Sequence, residues 1–309
     1  MTTPAIAVPQ TRPAAKTRLR RGSNMPLGRQ IIFQIVCILI AATVLFPIVW
    51  IVGMSLDPRN ISRPDSIIPP GASLDAYARV LARPTLNPVS FLQLALNSLM
   101  LAVAVSVISV GFGVLGAYAF SRMRFRGRSF LMLAVLTVLM LPAVATIGPL
   151  YISLTRVNVG GVVLGQSLIG VALAVASSQL PFAMWNLKGY LDTIPKELEE
   201  AAVVDGATRF QTFRQVVLPL TTPVLAVTAF FGFVAGWTEF LMASVFVVGK
   251  PDQWTLAVAL NALVGQYAGS TPWSTFAAFS VLFALPVMLV YLLLQRYIVS
   301  GLTVGGVKG

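Results

Sequence analysis

No histidine occurs in these 309 residues, which removes the usual proton shuttle at neutral pH and the commonest metal ligand. Cysteine is almost missing too. Cys37 stands alone inside an apolar run, so neither a disulfide framework nor a Cys/His zinc site can be assembled, and neither a metal nor a cofactor is expected. Charge is scarce: 10% of residues are Asp, Glu, Lys or Arg, against roughly 25% in soluble globular chains. There is no Gly-x-x-x-x-Gly-Lys-Ser/Thr. Gly249-Lys250 is followed by Pro251, so the chain has no loop to cradle ATP phosphates.

What the chain does contain is apolar sequence. Hydrophobic side chains make up 57% of it and the mean hydropathy is +0.83, which points to an integral membrane protein and excludes a soluble enzyme. A span needs about 20 apolar residues to cross about 30 Å of hydrocarbon at 1.5 Å per residue. Six stretches qualify: 31–53, 91–120, 130–154, 162–185, 220–248 and 274–298. Gly111, Gly113, Gly116, Pro142, Pro149, Pro181 and Pro286 lie inside them, as tolerated in helices in lipid. The alternation of an outer-membrane barrel is absent. The expected fold is all-α with six transmembrane helices: a basic, disordered tail over 1–29, a six-helix transmembrane domain over 30–300 and a short tail over 301–309. A cleaved signal peptide is disfavoured, because the first apolar run is long and lacks a small-x-small exit.

The net charge of +12 would suggest nucleic acid in a soluble domain, but its placement argues otherwise. Sixteen basic residues fall on one side of the expected bundle: Arg12, Lys16, Arg18, Arg20, Arg21, Arg29, Arg122, Arg124, Arg126, Arg128, Lys188, Lys196, Arg209, Arg214, Arg296 and Lys308. Six fall on the other: Arg59, Arg63, Arg79, Arg83, Arg156 and Lys250. The positive-inside rule then puts both termini in the cytoplasm, and nucleic acid is not an expected partner.

The segment 188–218 is the most charged in the chain, with Asp192, Glu197, Glu199, Glu200 and Asp205 among four basic residues. Pro195 suits a first helical turn, the glutamates favour a helix N-terminus, and Gly206 can take a left-handed stop. Thr208 and Gln211 read as a capping box for a second helix running towards Pro219. An interfacial amphipathic helix would favour basic residues, whereas Lys196-Glu197-Leu198-Glu199-Glu200 is acidic and repelled by anionic lipid. A protein partner fits better. Leu198, Ala202 and Val203 form either an apolar knob for that partner or the packing face towards the second helix.

Glu200-Ala201-Ala202, three residues, Gly206, nine residues, then Val216-Val217-Leu218-Pro219 resembles the EAA loop of ABC-importer permeases, with Val where Ile is common. Leu256-Ala257-Val258, Phe276-Ala277-Ala278, Leu285-Pro286 and the ending Gly301-Leu302-Thr303-Val304-Gly305-Gly306-Val307-Lys308-Gly309 are similar to the G-type permease subunit of maltose/maltodextrin importers. The resemblance covers the six spans and the C-terminal tail. It implies a type I importer permease in a bacterial or archaeal cell membrane, paired with a second permease subunit, two cytoplasmic ATPase subunits and an extracytoplasmic sugar-binding protein, and with no enzymatic activity of its own. It also implies ATPase coupling through Glu200, Ala201, Ala202, Gly206, Leu218 and Pro219. Gly305, Gly306, Val307, Lys308 and Gly309 would reach the ATPases, and Gly265, Gln266, Tyr267, Ala268 and Gly269 would form a probe loop entering the binding protein. Maltose or maltodextrin is the expected sugar, with trehalose or glycerol phosphate as alternatives.

Glu239 is the only carboxylate inside an expected span. An intramembrane charge suggests function, so an ion-coupled carrier is the reading from another class. Glu239 lacks a basic partner in its span, however, and is expected to face water or a partner subunit. Gly232-x-x-x-Gly236 permits close helix approach, although such spacing arises by chance among 24 glycines. Trp237, Trp254 and Trp273 are expected to anchor at the interface, with stacking on sugar as the alternative.

Overall fold

The computed structural model describes residues 26–264 and 271–305, with side chains as far as Tyr297. Two units are distinguished, one ending at Ile48 and the other beginning at Val49. The described part of the first is helix α1 (Leu27–Ser55) as far as Ile48. Its apolar side chains are exposed on every face, the composition of a helix whose solvent is hydrocarbon. It begins at Leu27, inside the stretch expected to be a tail.

In the second unit, the short helix α2 (Asp75–Ala82) precedes the long α3 (Phe91–Arg122). Ser90 starts α3 by accepting from the Gln93 N–H. Helices α4 (Arg128–Val138) and α5 (Ala143–Thr155) occupy the third expected span, which is bent by 101°. The cause lies in Leu141-Pro142: the residue before proline is pushed out of the helical region, and proline has no N–H with which to continue the ladder.

A two-residue hairpin, β1 (Asn158–Val159) and β2 (Val162–Val163), turns through Gly160 and Gly161. It displaces the start of the fourth span to α6 (Leu168–Leu191), later than position 162. Helices α7 (Glu197–Val204) and α8 (Arg209–Thr212) follow; then come a π-helical turn over Phe213–Val217, α9 (Leu218–Leu220) and α10 (Thr222–Trp237). The widened turn accommodates Pro219, whose ring would crowd the carbonyl four residues back in a regular helix. The order closes with α11 (Leu241–Phe246), α12 (Leu256–Ala262) and α13 (Trp273–Gly305).

Among the described residues, five helices are long and apolar enough to span a membrane, and the bent pair makes six if it crosses. Side-chain contacts show that it runs from one end of the bundle to the other. Asn97 at the start of α3 donates to the carbonyls of Asp252 and Trp254, and the Leu168 N–H at the start of α6 donates to Gln253, so these termini share one end. Arg122 and Asp192, at the ends of α3 and α6, share the other through Ser121. Arg128, opening α4, lines a surface hollow with Lys188 at that second end. Thr155, closing α5, abuts Gly165 just before α6 at the first end. The pair therefore joins opposite ends, and the fold is the expected all-α bundle with a sharply bent third span and a minimal hairpin.

Helix α3 is the axis. One apolar cluster gathers Leu101 and Val105 of α3, Val171 and Val175 of α6, and Met242 and Phe246 of α11. A second gathers Leu94 and Ala102 of α3 with Val80, Phe233, Trp237 and Phe279. The close fit of α3 and α10 depends on the absence of Cβ atoms: one at Gly236 would lie 2.7 Å from Ala102 Cα, and one at Gly232 2.9 Å from Ser106 Cα. Ser106 Oγ adds a bond to the Ala229 carbonyl at 2.9 Å. Gly232-x-x-x-Gly236 is thus used as a packing surface.

Candidate functional site

The charged segment between α6 and α10 folds as a helix, a turn and a second helix. Helix α7 carries Glu197, Glu199 and Glu200 in its first turn, where the exposed N–H groups of a helix start favour negative charge. Pro195 falls just before it, two residues upstream of its expected place. At the other end Gly206 has φ +88°. Its N–H donates to the Val203 carbonyl and the Ala207 N–H to that of Ala202, both at 3.0 Å, the double closure that a left-handed glycine makes possible. The capping box then starts α8: Thr208 Oγ1 accepts from the Gln211 N–H at 3.3 Å, and Gln211 Oε1 from the Thr208 N–H at 2.8 Å.

No residue of α7 is buried. Leu198 is 46% exposed, Val203 52% and Val204 86%, so two of the three apolar residues expected to form either a knob or an internal face point outward. Only Ala202 is half-buried; Glu200 and Ala201 are exposed, Leu218 is half-buried, and Pro219 is exposed. Beneath α7 lies an open hollow of about 540 Å³ whose lining includes Tyr118, Arg122, Met123, Val203, Arg209 and Thr212.

Behind this surface the loop is tied to α3. Phe213 and Val217 of the π-turn pack with Val114 and Ala117 of α3 and Leu187 and Leu191 of α6, and the rings of Phe213 and Tyr118 lie 4.8 Å apart. Arg122 Nε donates to Glu199 Oε1 at 2.5 Å and Arg122 Nη2 to the Ile194 carbonyl at 2.9 Å. Ser121 Oγ donates to Asp192 Oδ1 at 2.6 Å, and Lys188 Nζ pairs with Asp192 Oδ2. Burial opposes the Asp192 charge, but the bonds from Lys188 and Ser121 outweigh it and hold the carboxyl below its ordinary value of 3.8. Sequence reasoning missed Arg122 and Glu199, because one arginine among four and one glutamate among three carry no mark of pairing.

At the opposite end Asp57, 1% exposed, pairs with Arg59 at 2.8 Å. The Ser274 hydroxyl donates to the Asp57 carbonyl at 2.5 Å and the Ser274 N–H to Asn60 Oδ1 at 2.9 Å. This clip fastens the start of α13 to the segment after α1. Trp237 is neither a surface anchor nor a sugar platform. It is 2% exposed, stacked on Phe233 at 5.8 Å, and its Nε1–H donates to the Phe283 carbonyl. Trp254 is half-buried. Glu239 is half-buried and accepts from the Met242 N–H at 2.6 Å, so it caps α11 where the fifth span breaks. The expected probe-loop residues Gly265, Gln266, Tyr267, Ala268 and Gly269 lie outside the described residues, as do Gly306, Val307, Lys308 and Gly309. Gly305 is the last residue of α13.

Residues 109–304 match the family model for the binding-protein-dependent transport system inner membrane component. The trehalose/maltose transport system permease protein MalG of Thermococcus litoralis is 35% identical over 283 residues, covering 91% of this chain and 98% of that protein. The maltose/maltodextrin transport system permease protein MalG of Escherichia coli K12 is 36% identical over 292 residues, covering 91% and 97%. Among solved structures, a chain of a bacterial ABC transporter involved in import of the acidic polysaccharide alginate superposes with a TM-score of 0.67 at 23% identity, over 87% of this chain and 96% of that one. Up to six apolar spans, with a charged helix-turn-helix projecting from one end of the second unit, together with the family match define a permease subunit of the type I importer fold. The chain belongs to the binding-protein-dependent transport system inner membrane component family and is a transport subunit, not an enzyme.

Proposed function

We propose that this chain forms half of the translocation pathway of an ATP-driven sugar importer, most consistent with maltose or maltodextrin as substrate, and that α7 is its coupling helix. The observation that carries the reading is the exposed, acidic and apolar α7, fixed at one end by the Gly206 turn and the capping box, between the fourth and fifth spans. Bare valines and a leucine beside glutamates suit a protein socket, not a lipid surface. On this reading Glu200, Ala201, Ala202 and Gly206 meet a cytoplasmic ATPase, while Leu218 and Pro219 set the turn that returns the chain to the membrane. A second permease subunit completes the pathway, two ATPase subunits supply the energy, and an extracytoplasmic binding protein delivers the sugar. Gly265 to Gly269 would probe that protein and Gly305 to Gly309 would approach the ATPases.

The names of the relatives support maltodextrin first and trehalose second; glycerol phosphate is a third candidate. The alginate importer supports only the fold. The test is reconstitution of this chain with its partner permease, ATPase and binding protein in proteoliposomes. ATP-dependent uptake of labelled maltotriose, competed by maltose and not by trehalose or glycerol phosphate, is the expected result. Uptake that needs no ATPase subunit would overturn the assignment in favour of an ion-coupled carrier.

A further inference from the structure

Helix α7 is joined to its neighbours in sequence by two short connections. On one side the chain runs from Asp192 through Pro195; on the other it turns at Gly206 and Ala207 before the capping box. A helix of eight residues with nothing buried has little apolar packing of its own through which to pass a displacement into the bundle. Arg122 supplies a polar attachment in its place. Its side chain is 7% exposed and that of Glu199 14%. The guanidinium bonds Glu199 on α7, the Ile194 carbonyl before α7, and Ser121 Oγ, which is itself held to Asp192. Tyr118, one turn earlier on the same face of α3, directs its hydroxyl to Glu199 Oε2 at 3.4 Å.

Resting on the reading of α7 as the coupling helix, we infer that Arg122 is a positioning residue for energy coupling: it locks α7 to the end of α3, so that motion imposed on α7 is delivered directly to the helix against which α6 and α10 pack. Only a planar fork can serve the carboxylate, the carbonyl and the hydroxyl at once; a lysine keeps the charge but not the geometry.

The experiment uses the whole complex in nanodiscs, with Arg122→Gln, Arg122→Lys, and Arg122→Glu combined with Glu199→Arg. Spin labels at Met123, which caps the end of α3, and at Val204 report the distance between the end of α3 and α7. In the parent this distance should be narrow and constant with and without ATP. In Arg122→Gln it should broaden, and the ratio of binding-protein-stimulated to basal ATP hydrolysis should fall by at least about fivefold, the lower end of typical coupling between sites. Arg122→Lys should lie between, and the charge swap should recover part of the ratio. An unchanged ratio and an unchanged distance distribution in Arg122→Gln would overturn the inference. So would an Arg122→Gln chain that fails to accumulate while Arg122→Lys is fully stimulated, since the pair would then serve folding alone. Failure of the ATPase subunits to co-purify with the parent would instead overturn the coupling-helix reading on which the inference rests.

Discussion

At the scale of single residues, two positions carry consequences that the sequence hints at and the geometry sharpens. Gly206 holds a left-handed φ of +88° and donates its N–H to Val203. An alanine there keeps the N–H but adds about 1–2 kcal/mol of steric cost. A proline loses the N–H and fixes φ near −65°. Gly206→Pro should therefore leave the protein in the membrane at normal abundance while abolishing uptake, and Gly206→Ala should only weaken it; normal uptake with proline would make the segment a plain linker. Asp57 is the second position. The bonds from Arg59 hold its carboxyl below the ordinary value of 3.8 against the opposing effect of burial. A depressed carboxylate stabilises the fold above its unfolded value, and that contribution is lost as pH falls through the folded one. Asp57→Asn should accordingly lower the melting temperature in detergent at pH 7, and the gap from the parent should begin to narrow as pH falls past the ordinary value of 3.8 and close only below the lower folded value. A gap that persists unchanged at pH 3 would show that the ion pair is not its source.

At the scale of elements, what was legible follows the strength of the local signal. Gly206, Thr208 and Gln211 each have a backbone reason to stand where they do, so the turn and capping box could be read from the sequence and are found in the structure. The bend between α4 and α5 was half-legible: Pro142 was visible, but hydropathy runs continuously across it and gives no angle. The break after α10 was hidden for the same reason, so Glu239 was expected to face water or a partner subunit and not to accept from the start of α11. Glu239 shows how the two readings separate. Its carboxylate accepts the Met242 N–H at 2.6 Å, a bond that Gln can replace and Ala cannot. Loss of such a cap costs about 0.5–2 kcal/mol. Glu239→Gln should transport normally with little change in melting temperature, whereas Glu239→Ala should melt earlier. If Glu239→Gln abolishes uptake while its melting temperature is unchanged, the carboxylate has a role that the cap does not explain.

At the scale of the whole molecule, the pairing of ends decides the topology, and it could not be read from the chain because it rests on contacts such as those of Asn97 with Asp252 and Trp254, more than 150 residues apart. The distribution of basic residues predicts which end is cytoplasmic, but it could not say whether the bent third span crosses. The two observations together make a single prediction. Arg128 and Lys188 share one end, with α7, and Thr155, Gly165 and Asp252 belong to the other. Cys37, the sole native thiol, is exposed and is first replaced by Ser to remove background. Single cysteines at Gly127, Gly160, Gly206 and Pro251 are then challenged in intact cells with a thiol reagent that cannot cross the membrane. Positions 160 and 251 should label, and 127 and 206 should label only after the membrane is opened. Position 160 is the decisive one. If α4 and α5 dipped into the bilayer and returned, the hairpin at Gly160 would share the fate of Gly127, and the chain would cross five times with its termini on opposite sides. Protection of 160 together with 127 would therefore refute the six-crossing fold. Labelling of 127 and 206 together from outside, with 160 and 251 protected, would instead leave that fold intact and invert its orientation, placing α7 where no cytoplasmic ATPase could reach it.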